Sequence, residues 1–481
     1  MESQPHVLIF PLPLQGPVNC MLNLAEILCV HDDIHVTFLN TDHVHRRLLS
    51  YTDADERFRR YPNFRFQTLP DGMPEDSPRT GEQIVELIQS IEKVTCPLFR
   101  EMVTAGGSAS ARSEKPPVSC LIVDGIFPFA VDIAKDIGVP LFYFDTISPC
   151  AVWIYLRVPK LIEAGELPFP GDDLDTPVPC VPGMESILRR RDLPSFCQSK
   201  TILEDPIIKI VLNEAQYLPK AQGLIFNTFP DIDGPILQQF KSICPKVYAV
   251  GPLHAHRKAR IDSELPKTSN SIWKEDWSCI DWLDKQPPKS VLYVSIGSLA
   301  VISEHQFMEL WHGLVKSEVR FLWVQRPGSI IRSSDLDSQN SNVPVELSQR
   351  TEERGCIVSW APQEKVLAHP SIAGFLTHSG WNSTLESIVE GVPMICWPYF
   401  VDQQVNSRYV GEVWKIGLDM KDLCSQDVVE RMVREVMEGR KDEFLERSEK
   451  MANLAKQSVM EGGDSYQDME RLINHIRQMK I

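Results

Sequence analysis

At 481 residues the chain is too long for one ordinary hydrophobic core, so two or three domains are expected. Hydrophobic residues make up 43% and charged residues 24%, the balance of an ordinary soluble protein. The net charge of −16 argues against nucleic acid or an anionic membrane as the main partner, and no apolar run approaches the roughly 18 residues of a membrane span.

In chain order, Val7–Phe10 reads as a buried strand, 18–30 as a helix, and 34–39 and 64–68 as further strands. A helical stretch over 81–103 precedes a strand at 121–123 that ends on Asp124. A helix over 126–137 and strands at 141–144 and 224–227 complete the first series. Strands that alternate with helices imply βαβ units and a parallel sheet. Residues 252–275 are polar and irregular and read as an interdomain linker.

A second series follows: a strand at 291–296, a helix near 303–317, strands at 321–324, 356–359 and 374–376, a helix from Trp381, and a strand at 394–396. The last 55 residues read as helical. The expected fold class is α/β, two Rossmann-like doubly wound domains. The expected boundaries are 1–250, a linker at 251–275, a second domain at 276–460, and a C-terminal helix at 461–481. Segments 104–116 and 328–345 read as mobile surface loops.

Twelve cysteines without CxxC pairs read as small buried residues, not as a disulfide frame or a zinc site. Asp173-Leu174-Asp175 and Asp335-Leu336-Asp337 match a short metal pattern that arises often by chance, so no metal is expected. No basic segment leads into a signal-type core, which makes the cytoplasm the expected location.

Residues 360–403 carry the chemistry. Trp360 ends a short strand, where an indole can stack on a flat base. Pro362 and Gln363 form a turn that offers the Ala361 amide and a side-chain amide to a base edge. Thr377-His378-Ser379-Gly380 runs from a strand into a helix, which aims backbone N–H groups and the positive helix end at an anion. Gly380 permits close approach. His378, Asn382 and Ser383 add polar groups, and Glu386 lies four residues after Asn382 on the same helix face. Asp402 and Gln403 suit adjacent sugar hydroxyls. Ser298, after the strand at 291–296, offers another hydroxyl. Together these strand ends converge on a nucleotide diphosphate with a sugar attached.

This stretch resembles the signature box of plant family-1 UDP-glycosyltransferases. Ser295-Ile296-Gly297-Ser298 is similar to another motif of that family, with Ile296 in place of Phe. Closing the box on Gln403 resembles the glucosyl-transferring members. The segments 9–24, Arg189–Pro194 and Trp397–Phe400 resemble the branch that glucosylates iridoids. The resemblance implies two facing Rossmann-like domains and an inverting transfer of glucose from UDP-glucose to a small lipophilic metabolite. UDP-glucose would be a co-substrate; no cofactor or metal, no nucleic-acid partner, no membrane insertion and a monomer are implied. It further implies that Trp360, Ala361 and Gln363 hold uracil and Glu386 the ribose. His378, Trp381, Asn382, Ser383 and Ser298 would hold the diphosphate, and Asp402, Gln403, Thr146 and Trp381 the glucose. Acceptor-pocket candidates are Gln15, Phe127, Trp153, Phe196, Tyr399 and Phe400. Arg189–Arg191 reads as a solvated basic turn, or as a site that greets an acidic acceptor.

One position departs from the family. After Gln15-Gly16 the family carries a histidine that serves as general base, and Asp124 matches the aspartate that orients it; here the position is Pro17, with neither a basic side chain nor an N–H. Three readings stand. An acidic acceptor needs little base; Asp124 acts directly or through water; or the chain is a weak or silent UDP-sugar-binding homologue.

Overall fold

A computed structural model describes residues 4–77, 79–107, 116–261, 269–331, 354–421 and 424–479. The expected loops at 104–116 and 328–345, the Asp335–Asp337 pattern and part of the 252–275 linker fall mainly outside these residues.

The chain divides into two compact units. The first comprises residues 1–186, 196–273 and 455–481, and the second 187–195 and 274–454. In the first, the strands β1 (His6–Phe10), β2 (His35–Thr41), β3 (Phe64–Leu69), β4 (Cys120–Asp124), β5 (Leu141–Asp145), β6 (Gly223–Phe226) and β7 (Val247–Ala249) form one sheet. Their spatial order is β3-β2-β1-β4-β5-β6-β7, and every pairing is parallel. β1, β4 and β5 are buried along their whole length, as strands covered by helices on both faces must be.

The second unit adds β8 (Val291–Ser295), β9 (Ile302–Ser303), β10 (Arg320–Val324), β11 (Ile330–Ile331), β12 (Gly355–Val358), β13 (Ile372–Thr377), β14 (Met394–Cys396) and β15 (Gly417–Asp419). Six of them make a sheet in the order β12-β10-β8-β13-β14-β15. The two sheets therefore repeat one winding. Chain order reverses between β1 and β4 in one, and between β8 and β13 in the other. In open α/β sheets ligands collect at the carboxyl ends of the strands flanking that reversal. Asp124 ends β4, and Thr377 ends β13.

Two readings change. Residues 253–260, read as irregular, form a helix. Its charged side chains have buried uses: Arg257 approaches Glu26, which has no exposed surface and also pairs with Arg57 and Arg60. The segment 187–195, expected in the first domain, folds with the second unit. The helix Asp464–Arg477 belongs to the first unit, where Met469, Leu472, Ile473 and Ile476 join its core and the Tyr248 hydroxyl is hydrogen-bonded to His475 Nδ1 at 2.7 Å.

Candidate functional site

In the second unit, the turn after β8 and the turn after β13 meet at His378. A Cβ on Gly297 or on Gly380 would come within 2.4 Å of His378 Nε2, so the imidazole is clasped by two glycines. Gly297 also has φ +76, a left-handed conformation that favours glycine. Burial holds the His378 pKa down, to about 4, and its Nδ1 is buried without a hydrogen-bond partner. A neutral ring of this kind still has one N–H that can be donated to an anion. Ser379 is also left-handed, φ 64, which is strained for a residue with a Cβ.

Gly380 is the N-cap of the helix Trp381–Glu390, whose first intrahelical bond runs from Thr384 N to Gly380 O. The amides of residues 381–383 therefore precede the helical ladder, at the positive end of the dipole. The Trp381 ring itself is buried and tilts against Trp414 at 6.4 Å.

One turn further on, three side chains form a hydrogen-bonded corner. Gln363 Nε2 donates to Ser383 Oγ at 2.9 Å and to Glu386 Oε2 at 2.6 Å, while Tyr293 donates to Gln363 Oε1 at 3.2 Å. Burial, then the charge of Glu364, pushes Glu386 up to about 8, against the opposing bond from Gln363. The corner thus offers a buried carboxyl, an amide and a hydroxyl at one place. Ser383 is tied to the Gln363–Glu386 pair, where the resemblance placed it on the diphosphate. Trp360 lies half-buried beyond β12, and its carbonyl accepts from Asp276 N at 2.8 Å. Ala361 is buried beside it, and Ser298 is half-buried in the turn after β8.

The loop after β14 is closed by its own side chains. Gln403 Oε1 accepts from Tyr399 N at 2.8 Å and Phe400 N at 3.2 Å. Asn406 Nδ2 donates to Asp402 Oδ2 at 2.7 Å and to Ser379 O at 2.9 Å, which joins this loop to the strained turn beside His378. Nothing in the sequence reading pointed to Asn406 or Tyr293; each is an ordinary polar residue until its partners are placed.

In the first unit, Asp124 accepts from Leu12 N and Ile126 N, both at 3.3 Å, and from Thr146 Oγ1 at 3.4 Å. Burial outweighs these bonds and raises its pKa to about 6. Thr146 therefore stands beside the carboxylate. Asp145, the next strand end, is buried, and burial first, then the charges of Glu214 and Asp124, raise its pKa well above the usual carboxylate range. Neither Asp145 nor Glu214 was singled out from the sequence. Pro17 is half-buried in the first turn of the helix Gln15–Cys29. That helix makes its first bond from Val18 N to Leu14 O at 3.0 Å, so the N–H that proline lacks is one the helix does not use. The fold tolerates the residue.

Most of the acceptor candidates are buried or engaged in packing and backbone contacts. Phe127 has no exposed surface and stacks on Phe10 at 5.1 Å. Trp153 is equally buried, packs on Phe240 and donates its indole N–H to Pro182 O at 2.9 Å. Phe196 is buried against Tyr155. Gln15 spends its amide on the backbone, accepting from Ile272 N at 2.7 Å. Core packing claims the three aromatics, and chain closure claims Gln15. Tyr399 and Phe400 are partly buried against the core of the second unit, and the Tyr399 hydroxyl is buried without a partner. Arg189–Arg191 is not a solvated turn: Arg190 is buried, and Arg189 is bound to the buried Asp192. Among the described residues no cluster of three His, Cys, Asp or Glu stands ready for a metal, and no helix is long and apolar enough to cross a membrane.

The chain is similar to known proteins along nearly its whole length. The profile of the UDP-glucoronosyl and UDP-glucosyl transferase family matches residues 269–460, the span that holds the corner and the histidine. The chain is 51% identical to 7-deoxyloganetic acid glucosyltransferase of Catharanthus roseus over 99% of its length and 98% of that protein. It is 39% identical to 7-deoxyloganetin glucosyltransferase of Gardenia jasminoides, over 98% of each chain. Among solved structures it resembles Os79 from O. sativa in complex with UDP, with a TM-score of 0.80 and 27% identity over 98% of this chain and 100% of that one. Its two Rossmann-like units are those of the GT-B fold, and the chain belongs to the UDP-glycosyltransferase family.

Proposed function

We propose that the protein transfers glucose from UDP-glucose, with inversion, to a small acidic terpenoid or iridoid acceptor. The observation that carries this reading is the corner of Gln363, Ser383 and Glu386 one helical turn from the glycine-clasped His378. Glu386, once ionised, accepts both ribose hydroxyls; Trp360 and the Ala361–Gln363 turn receive uracil. The first-turn amides of the helix Trp381–Glu390 and a neutral His378 meet the diphosphate. Asp402 and Gln403 hold the hexose. No step needs a metal in this scheme.

In the transfer, an acceptor oxygen forms a bond to the anomeric carbon while the bond from that carbon to the β-phosphate oxygen breaks. One displacement inverts the centre. The acceptor proton passes to Asp124. A surface aspartate, near 3.9, is a weak base; burial makes Asp124 a stronger one. It remains weaker than an imidazole, which is why an acceptor already inclined to ionise suits this chain. The C. roseus relative acts, by its name, on an acid. We place the reaction in the cytoplasm, a reading supported by twelve free cysteines.

The test is UDP release with UDP-glucose against carboxylic-acid, phenol and simple-alcohol terpenoid aglycones, in the wild type and in Pro17→His. The expected result is wild-type turnover on acidic acceptors, and a gain in Pro17→His confined to simple alcohols. No turnover by either protein on any acceptor would favour the silent homologue.

A further inference from the structure

The segment 187–195 reaches the second unit from a position in the sequence between two stretches of the first. Its anchor is Asp192, which has no exposed surface. Arg189 Nε binds Asp192 Oδ2 at 2.9 Å, and Arg408 Nε lies 3.4 Å from the same oxygen and donates to Ile187 O at 2.9 Å. Lys421 Nζ binds Asp192 Oδ1 at 3.0 Å. Burial alone would raise the Asp192 pKa, but Arg189 and Lys421 hold it below the usual carboxylate range.

The same lysine reaches the sugar loop. Lys421 Nζ donates to Gln404 O at 2.9 Å and pairs with Asp419 at 3.2 Å. At the far end of the segment, Ser195 Oγ accepts from Val401 N at 3.3 Å. Val401 has φ 61, a conformation a β-branched residue adopts only when its surroundings impose it. It immediately precedes Asp402 and Gln403. The loop is thus tied on one side of this pair through Ser195 and on the other through Lys421 and Asp192.

We propose that 187–195 is a strap that sets the geometry of the sugar-recognition loop, with Asp192 and Ser195 as positioning residues for selection of the donor hexose. The proposal rests on the donor reading above. Neither residue touches the donor; they hold Val401 in its strained conformation, so that the Asp402 carboxylate and the Gln403 amide meet hexose hydroxyls at the right angle. Uracil and ribose recognition, built on residues 360–386, does not depend on the strap.

This separation makes the strap testable. Affinities for UDP and UDP-glucose are measured by calorimetry for the wild type, Ser195→Ala, Ser195→Thr and Asp192→Asn, with turnover on UDP-glucose, UDP-galactose and UDP-xylose. In Ser195→Ala, losing one backbone bond should cut the extra affinity of UDP-glucose over UDP by roughly three- to tenfold, with UDP affinity itself within about twofold of wild type. KM for UDP-glucose should rise more than kcat falls, hexose selectivity should narrow, and Ser195→Thr should restore both. Asp192→Asn should do the same more strongly; if it fails to fold, the Ser195 pair decides. Unchanged selectivity in Ser195→Ala, or a parallel fall in UDP affinity, overturns the strap. A wild type that binds neither UDP nor UDP-glucose overturns the donor reading instead.

Discussion

Replacing Asp124 with Asn separates the chemistry of this carboxylate from its cost to the fold. With a pKa of about 6 in the folded chain, Asp124 is about one-tenth ionised at pH 5 and about nine-tenths at pH 7. If it takes the acceptor proton, kcat/KM on a phenolic aglycone, which still carries its proton at these pH values, rises about tenfold across that interval and then levels off. Asp124→Asn should remove the rise and lower the plateau by roughly 10²-fold, the low end of general-base effects, because the acceptor is already acidic. Stability should move the other way. The folded pKa lies about two units above that of an ordinary aspartate near 3.9, each unit worth about 1.4 kcal/mol. The protonated form is the one the fold favours, so this stability is fully present below about pH 4 and is lost as pH rises through about 6. Asparagine stays neutral throughout. It keeps only one of the two acceptor oxygens that Leu12 N and Ile126 N use, at a cost of about 1 kcal/mol. The net expectation is a variant more stable than wild type by on the order of 2 kcal/mol at pH 7 and slightly less stable at pH 4. Urea unfolding at the two pH values and a pH–rate profile read both effects. A variant that keeps the rising limb and the wild-type rate, or that loses stability at pH 7, refutes the reasoning.

Two further outcomes follow from the same geometry. Gly297→Ala places a methyl against the His378 ring in a left-handed backbone, so UDP-glucose affinity should fall at least about tenfold while the apolar core stays intact; calorimetry showing wild-type affinity would mean that the imidazole contributes nothing to binding. Glu386, held up at about 8, must ionise before it can accept two hydroxyls, so UDP-glucose affinity should tighten from about pH 6 to about pH 8 in the wild type and stay flat in Glu386→Gln.

The parallel sheets were legible because each central strand is an unbroken apolar run, as in Val7–Phe10 and Val291–Ser295. The candidate donor box could be proposed from sequence because its residues lie in one short stretch, at strand ends and a helix start. The remainder depended on partners distant in sequence. Phe127 and Trp153 gave no sign of which way they point, and packing turned them inward. The helix 253–260 looked irregular because its polar residues find buried partners such as Glu26, more than 200 residues away. Asp192 and Lys421 lie 229 positions apart, and no periodicity links them.

The claim on which the account rests is that the second unit recognises UDP through Glu386 and the turn beside it. Titration calorimetry with UDP at pH 7 tests this directly. Two charge-assisted ribose bonds, at about 1.5–3 kcal/mol each and reduced by about 1 kcal/mol for ionising the carboxyl, predict that Glu386→Ala weakens binding at least about tenfold. One UDP bound per wild-type chain with that loss in the variant is the expected result. No heat from the wild type, or equal affinity in the variant, would contradict it.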